Sequence, residues 1–124
     1  IEWLGFCSGD NLWNQIRGAR ALVLPSEWYE NAPMSVLEAF ASGKPVVGAD
    51  IGGIPEMITP EIGWVFPSGD VDALAGVLAD VFSRSDVQIA DMGRKAREHV
   101  AANFNRTRYI EGMETVYREL GVKF

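Results

Sequence analysis

The sequence holds one cysteine, one histidine and no long apolar run, and each scarcity closes off a class of protein. Cys7 has no second cysteine to bridge to, so no internal disulfide frames the fold, which fits a reducing compartment. His99 stands alone in a stretch rich in Arg and Lys, so no histidine metal cluster is encoded and a surface role is expected for it. No segment approaches the roughly 20 apolar residues of a transmembrane helix, and no signal peptide precedes the first apolar run. A cytoplasmic location is therefore expected, with peripheral attachment at the inner face of the membrane left open for the full-length protein. Positive charge is also scarce. Eleven Lys and Arg against 17 Asp and Glu leave a net charge of -6, and the basic residues are scattered, so nucleic acid is not an expected partner. Gly48, Gly52 and Gly53 do not form a dinucleotide fingerprint, and no phosphate-loop Gly-Lys-Ser/Thr occurs.

What is present is an ordinary globular composition. At 124 residues, 48% apolar and 23% charged, the chain has enough apolar side chains for one core and no repeat, low-complexity tract or linker that marks a second domain. It starts at Ile1 in mid-pattern and is read as a fragment. Ile1 to Phe6 reads as a strand, followed by a helix that Asp10 caps and that carries Leu12, Trp13, Ile16 and Ala19 or Ala21 at helical spacing. Ala21 to Leu24, closed by Pro25-Ser26, is short and apolar throughout, as a strand covered on both faces would be. Pro33 suits the first position of a helix with Met34, Leu37 and Ala41 as its apolar face, ended by Ser42-Gly43.

Pro45 to Ala49 is a third strand candidate, followed by a glycine-rich loop, Ile51 to Glu56, and a short strand at Gly63 to Phe66. Asp70 caps a helix with the stripe Leu74, Val77, Leu78 and Val81, and helices are predicted over Asp86 to Asn103 and Arg108 to Leu120. In the last of these, Phe104, Tyr109, Met113, Val116, Tyr117 and Leu120 read as a core stripe that needs a partner surface. The alternation of strand and helix makes the chain α/β.

The informative segment runs from Pro25 to Val47 as strand, loop, helix, strand. In an open parallel sheet, ligands bind outside the carboxyl ends of the strands, and Glu30 lies in a loop leaving such an end. Glu38 lies five residues beyond Pro33, about 7.5 Å along a helix at 1.5 Å per residue. Between them fall the first N–H groups of the helix, at Met34, Ser35 and Val36, which with the helix dipole favour an anion such as a phosphate. Carboxylates suit vicinal hydroxyls, because each oxygen accepts charge-assisted hydrogen bonds. A ligand with sugar, diphosphate and ribose would use all three. Spacing alone does not lift the pair above two solvated surface glutamates.

The same residues resemble the donor-binding signature of the GT-B retaining glycosyltransferases of the family four type, glycosyl transferases group 1. Pro25-Ser26 is followed by Glu30, seven residues, Glu38-Ala39 and then Ser42-Gly43-Lys44-Pro45-Val46. The resemblance continues into Gly52-Gly53-Ile54-Pro55-Glu56 and Gly63-Trp64-Val65-Phe66, and covers about half of the chain. It implies a partial Rossmann-like parallel sheet, the GT-B carboxyl-terminal domain, with helices on both faces and a helical tail. It further implies sugar transfer with retention from a nucleotide-diphosphate sugar to a glycan, lipid or small-molecule acceptor, without a metal or other cofactor, in polysaccharide or glycolipid biosynthesis.

By that resemblance Glu30 would be the catalytic-site carboxylate on the hydroxyls of the transferred sugar, and Glu38 would hold the ribose. The backbone amides of Met34 and Ser35 would lie against the distal phosphate or the sugar. Ala32 falls in the sugar-facing stretch, and the backbone around Cys7 would flank the base. Many members carry Gly-Phe-Gly where this chain has Asn31-Ala32-Pro33, and Pro33 has no N–H to donate.

The family's phosphate-neutralising Arg and Lys have no counterpart in this chain. Its first two domain strands and the whole acceptor domain should precede Ile1, so the chain alone is expected to be inactive. With those central strands absent, Ile1 to Phe6 and Ala21 to Leu24 should not be neighbours, and a gap or an unnatural closure is expected beside them. The alternative reading is a noncatalytic α/β module that binds a nucleotide sugar or another protein.

Overall fold

Short apolar runs closed by turn residues become the strands in the computed structural model, which describes residues 1–122. The elements run α1 (Gly9–Gly18), β1 (Leu22–Leu24), α2 (Met34–Ala41), β2 (Val46–Asp50), α3 (Ile54–Met57), β3 (Gly63–Pro67), α4 (Val71–Ser83), α5 (Asp86–Asn103) and α6 (Arg106–Glu119). The strands form one parallel sheet in the order β1-β2-β3, with Leu22 opposite Val46, Leu24 opposite Gly48, Val46 opposite Gly63 and Asp50 opposite Pro67.

Central strand β2 sets the two layers. Successive side chains of a strand point to opposite faces, and Val46 faces a cluster with Val36, Phe40, Ile54 and Ala96, whereas Val47 and Ala49 face Phe66, Val81 and Ile89. Helices α2 and α3 therefore cover one face and α4 the other, while α5 contributes Ala96 to the first cluster and Ile89 to the second. Gly48 faces the first cluster, like Val46, and a Cβ there would stand 2.5 Å from Ile58 Cδ1 and 2.6 Å from Ile54 Cγ2, so the close approach of α3 needs a glycine.

Helix ends follow their caps. Asp70 accepts from Ala73 N–H at 2.8 Å to start α4. Ser85 and Gln88 exchange hydrogen bonds as a capping box at the start of α5. Asn105 accepts from Arg108 N–H, so α6 starts at Arg106, two residues earlier than expected. Gly43, at φ 71°, closes α2.

Several expectations need correction. Ile1 to Phe6 forms no strand; it is unpaired, with Ile1, Trp3 and Phe6 almost fully exposed. A parallel strand is held by its neighbours' hydrogen bonds, and β1 pairs with β2 alone. Ser8, not Asp10, occupies the cap position of α1, and Asp10 sits in the first turn. Pro33 is the cap residue of α2 rather than its first helical residue.

The buried face of α2 is Val36, Ala39 and Phe40, whereas Met34 and Ala41 are exposed. The helix is wedged between the sheet and α5, so both neighbours choose its face. The loop expected at Ile51 to Glu56 contains α3, whose Ile54 and Met57 are buried. Among the described residues the expected core stripe of α6 is largely exposed, at Tyr109, Val116, Tyr117 and Leu120, while Met113 is half-buried. No helix among the described residues is long and apolar enough to cross a membrane.

Candidate functional site

Three strand ends converge on Glu30. The loop leaving β1 turns back at once, with Glu30 N–H donating to Trp28 C=O at 2.9 Å. Four residues before Glu30, Ser26 donates from Oγ to Glu30 Oε1 at 3.2 Å. From the loop after β2, Gly53 N–H donates to Glu30 C=O at 2.7 Å. From the loop after β3, Ser68 Oγ donates to Ser26 C=O at 2.9 Å. The glutamate is thus held by side chain and backbone at the carboxyl edge of the sheet, where open parallel sheets place their ligands.

Gly52 and Gly53 are required by that arrangement. Gly52 has φ +59°, and a Cβ on it would meet Glu30 N at 2.9 Å and overlap Glu30 O. A Cβ on Gly53 would overlap Asn31 O. The residue types of this loop suit either turn chemistry or ligand lining; the structure gives it a third task, seating the backbone of Glu30 and Asn31. Asp50, at the end of β2, is exposed.

Beyond Glu30 the chain passes exposed Asn31 and Ala32 and buried Pro33 into α2. Val36 N–H donates to Pro33 C=O at 3.1 Å, so one of the three amides expected to be free is already used. Met34 and Ser35 precede the first bond of the helix, where N–H groups have no intrahelical acceptor. Met34 is 63% exposed and Ser35 half-buried, which leaves the helix start open to a ligand. Glu38 is half-buried on the same helix.

Cys7 belongs to the unpaired amino-terminal segment, outside the hydrogen-bonded group of Ser26, Glu30, Gly53 and Ser68. Trp28 and Tyr29, beside Glu30, are 82% and 88% exposed. Four surface clefts of about 100 to 440 Å³ have neither Glu30 nor Glu38 among their lining residues. Glu30 and Glu38 are each half-buried.

Sequence reasoning missed two clusters at the opposite, amino end of the strands. Trp64 Nε1 donates to Asp80 Oδ2 at 2.6 Å, and Arg84 holds the same oxygen at 3.0 Å while its guanidinium lies 5.4 Å from the Trp64 ring centre. The Trp64 and Arg84 hydrogen bonds hold the Asp80 carboxyl below its usual range. Arg20 donates to Val81 C=O at 3.2 Å, to Arg84 C=O and to Asp86 Oδ1 at 2.6 Å, joining the entry to β1 to the α4–α5 junction. A spacing of four between Asp80 and Arg84 is a usable signal; nothing local points to Arg20. His99 packs between Phe40 and Phe104, with ring centres 6.5 and 5.9 Å away. Among the described residues no group of three or more His, Cys, Asp or Glu is placed to hold a metal ion.

Parallel sheet, helices on both faces and a helix start beside a strand end define an open α/β unit with its site at the carboxyl edge. The chain belongs to the glycosyl transferases group 1 family, which matches residues 1–99. It is 37% identical over 117 residues to the D-inositol 3-phosphate glycosyltransferase of Saccharomonospora viridis, covering 94% of this chain and 26% of that protein. It is 31% identical over 112 residues to the amylovoran biosynthesis glycosyltransferase AmsK of Erwinia amylovora, covering 86% and 27%. Sucrose-phosphate synthase from Thermosynechococcus elongatus superposes with a TM-score of 0.73 at 31% identity, over 86% of this chain and 26% of that one. The fold is that of GT-B glycosyltransferases, and the chain spans about a quarter of the length of the relatives it matches.

Proposed function

We propose that this chain forms the donor-binding part of an enzyme that moves a sugar from a nucleotide-diphosphate sugar to a glycan, lipid or small-molecule acceptor, with retention and without a metal. The observation that carries the reading is Glu30, fixed by Ser26 and Gly53 immediately before the open start of α2. A carboxylate beside free helix amides offers acceptors to sugar hydroxyls and donors to a phosphate in one short stretch. Glu30 takes the transferred sugar, the amides of Met34 and Ser35 take the distal phosphate, and Glu38 takes the ribose. Ala32 lies along the sugar, and Cys7 reaches the base only if its segment is ordered by the donor or by chain outside these residues.

Leaving-group departure needs positive charge on the diphosphate, and no Lys or Arg belongs to the hydrogen-bonded group of Ser26, Glu30, Gly53 and Ser68. The 124-residue chain alone is therefore expected to be inactive. The test is made in the full-length protein that contains it. Glu38→Gln should weaken donor binding about tenfold, in line with the loss of a charge-assisted hydrogen bond, with the melting temperature unchanged. Unchanged binding with a lowered melting temperature would make Glu38 a structural residue of α2 instead of a donor ligand; absence of sugar transfer by the full-length protein would favour the noncatalytic module, and sugar transfer by the isolated chain would overturn the expected inactivity.

A further inference from the structure

We propose that Ser26 is a positioning residue for the sugar-binding carboxylate, acting through Glu30. The inference rests on the assignment of Glu30 to the donor sugar. A carboxylate on a three-bond side chain in a loop rotates freely unless one oxygen is pinned, and Ser26 Oγ donates to Oε1 at 3.2 Å. That contact is longer than the roughly 2.7 Å of a short hydroxyl–carboxylate bond, so it has room to tighten when Oε2 accepts from a sugar hydroxyl. Ser26 is itself fixed. Its carbonyl accepts from Ser68 Oγ at 2.9 Å, and Glu30 is held from the other side by Gly53 N–H at 2.7 Å.

The serine thus links β1 and β3 and spends its hydroxyl proton on the carboxylate. With Oε1 accepting from Ser26, Oε2 is the oxygen presented to the ligand. Ser26 supports the sugar without touching the nucleotide, and that separates positioning from general support of the loop.

The experiment compares affinities of the full-length protein for UDP-glucose and GDP-mannose with those for UDP and GDP. Ser26→Ala should lower affinity for the bound nucleotide sugar about fivefold, the scale of one lost hydrogen bond, and leave the nucleoside diphosphate unchanged. Ser26→Thr, which keeps the hydroxyl, should stay within about twofold of the parent, and Ser26→Cys, a weak donor, should resemble Ser26→Ala. Combined with Glu30→Ala, Ser26→Ala should add no further loss, because its partner is gone.

Equal weakening of sugar and nucleotide ligands, failure of Ser26→Thr to restore affinity, or additive losses in the double variant would overturn the positioning role. So would parent-like donor affinity in Ser26→Ala. Parent-like donor affinity in Glu30→Ala, or binding of neither nucleotide sugar by the parent, would overturn the underlying assignment of Glu30 instead. The Ser26→Thr and Ser26→Cys pair carries the same test if Ser26→Ala does not fold.

Discussion

Gly53 holds Glu30 by a 2.7 Å bond from its N–H to the glutamate carbonyl, and a side chain on Gly53 would overlap the carbonyl of the next residue, Asn31. The two loops are in backbone contact, and any Cβ between them must push them apart. Gly53→Ala is expected to destabilise the protein by about 1–3 kcal/mol, the range for overpacking a fitted contact. Gly52→Ala adds a left-handed backbone to a similar overlap. Thermal unfolding measures the loss, and donor affinity should fall in both variants because the displaced backbone is that of Glu30 for Gly52→Ala and of the adjoining Asn31 for Gly53→Ala.

Glycines elsewhere should respond with opposite signs. Gly93, in α5, faces Gly43, and a Cβ on it would overlap the Gly43 carbonyl where α2 ends against α5. Gly93→Ala should cost about 1–3 kcal/mol by separating the two helices. Gly76 in α4 and Gly112 in α6 have ordinary helical φ, and a Cβ on either would meet nothing within 4 Å. Gly76→Ala and Gly112→Ala should each raise stability by about 0.5–1 kcal/mol, by restricting the unfolded chain and improving helix propensity. Urea titration of the three variants gives the signs directly.

Acid should release the link between β3 and α4 that Asp80 makes with Trp64. Asp80 lies below its ordinary value of 3.8 because Trp64 and then Arg84 donate to its carboxylate. Its folded value is depressed, so its contribution is fully present above the unfolded value and is lost as pH falls through the folded one. The melting temperature of the parent should therefore drop with pH through the carboxylate range more steeply than that of Asp80→Asn. Parallel pH profiles for the two proteins would remove Asp80 from the acid response. Fluorescence of Trp64, whose indole N–H loses its acceptor, should shift over the same interval.

The strand and helix pattern is legible in the sequence wherever a local signal sets the boundary. Asp86 to Asn103 is bounded correctly because Ser85 with Gln88 three residues on is a start signal and needs no tertiary partner. Glu30 can be placed in the loop after β1 because Pro25-Ser26 stops the strand and Pro33 marks the entry to the next helix. What stays hidden depends on distant chain. The face of α2 is chosen partly by Ala96 of α5, more than fifty residues on. Ile1 to Phe6 has strand composition, but a strand exists only beside another. The family pattern names Glu30 and Glu38, and only the three-dimensional structure shows that Ser26 and Gly53 hold the first of them, with Ser68 holding Ser26.

Arg20 illustrates how a residue with no motif can still be a joint. Its Nε donates to Val81 C=O at 3.2 Å, its terminal nitrogens to Arg84 C=O and to Asp86 Oδ1 at 2.6 Å, and its side chain is 29% exposed against 95% for Asp86. The exposed ion pair is screened and contributes little, whereas the two carbonyls lie at the end of α4, where helix C=O groups lack intrahelical partners. Arg20→Lys keeps the charge but loses the fork that reaches three acceptors. We expect Arg20→Lys and Arg20→Ala to be destabilised alike, by about 1–2 kcal/mol, and Asp86→Ala by less than about 0.5 kcal/mol. Denaturant unfolding of the three variants decides between carbonyl capping and charge pairing, because an ion-pair joint would instead be rescued by lysine and damaged as much by Asp86→Ala as by Arg20→Ala.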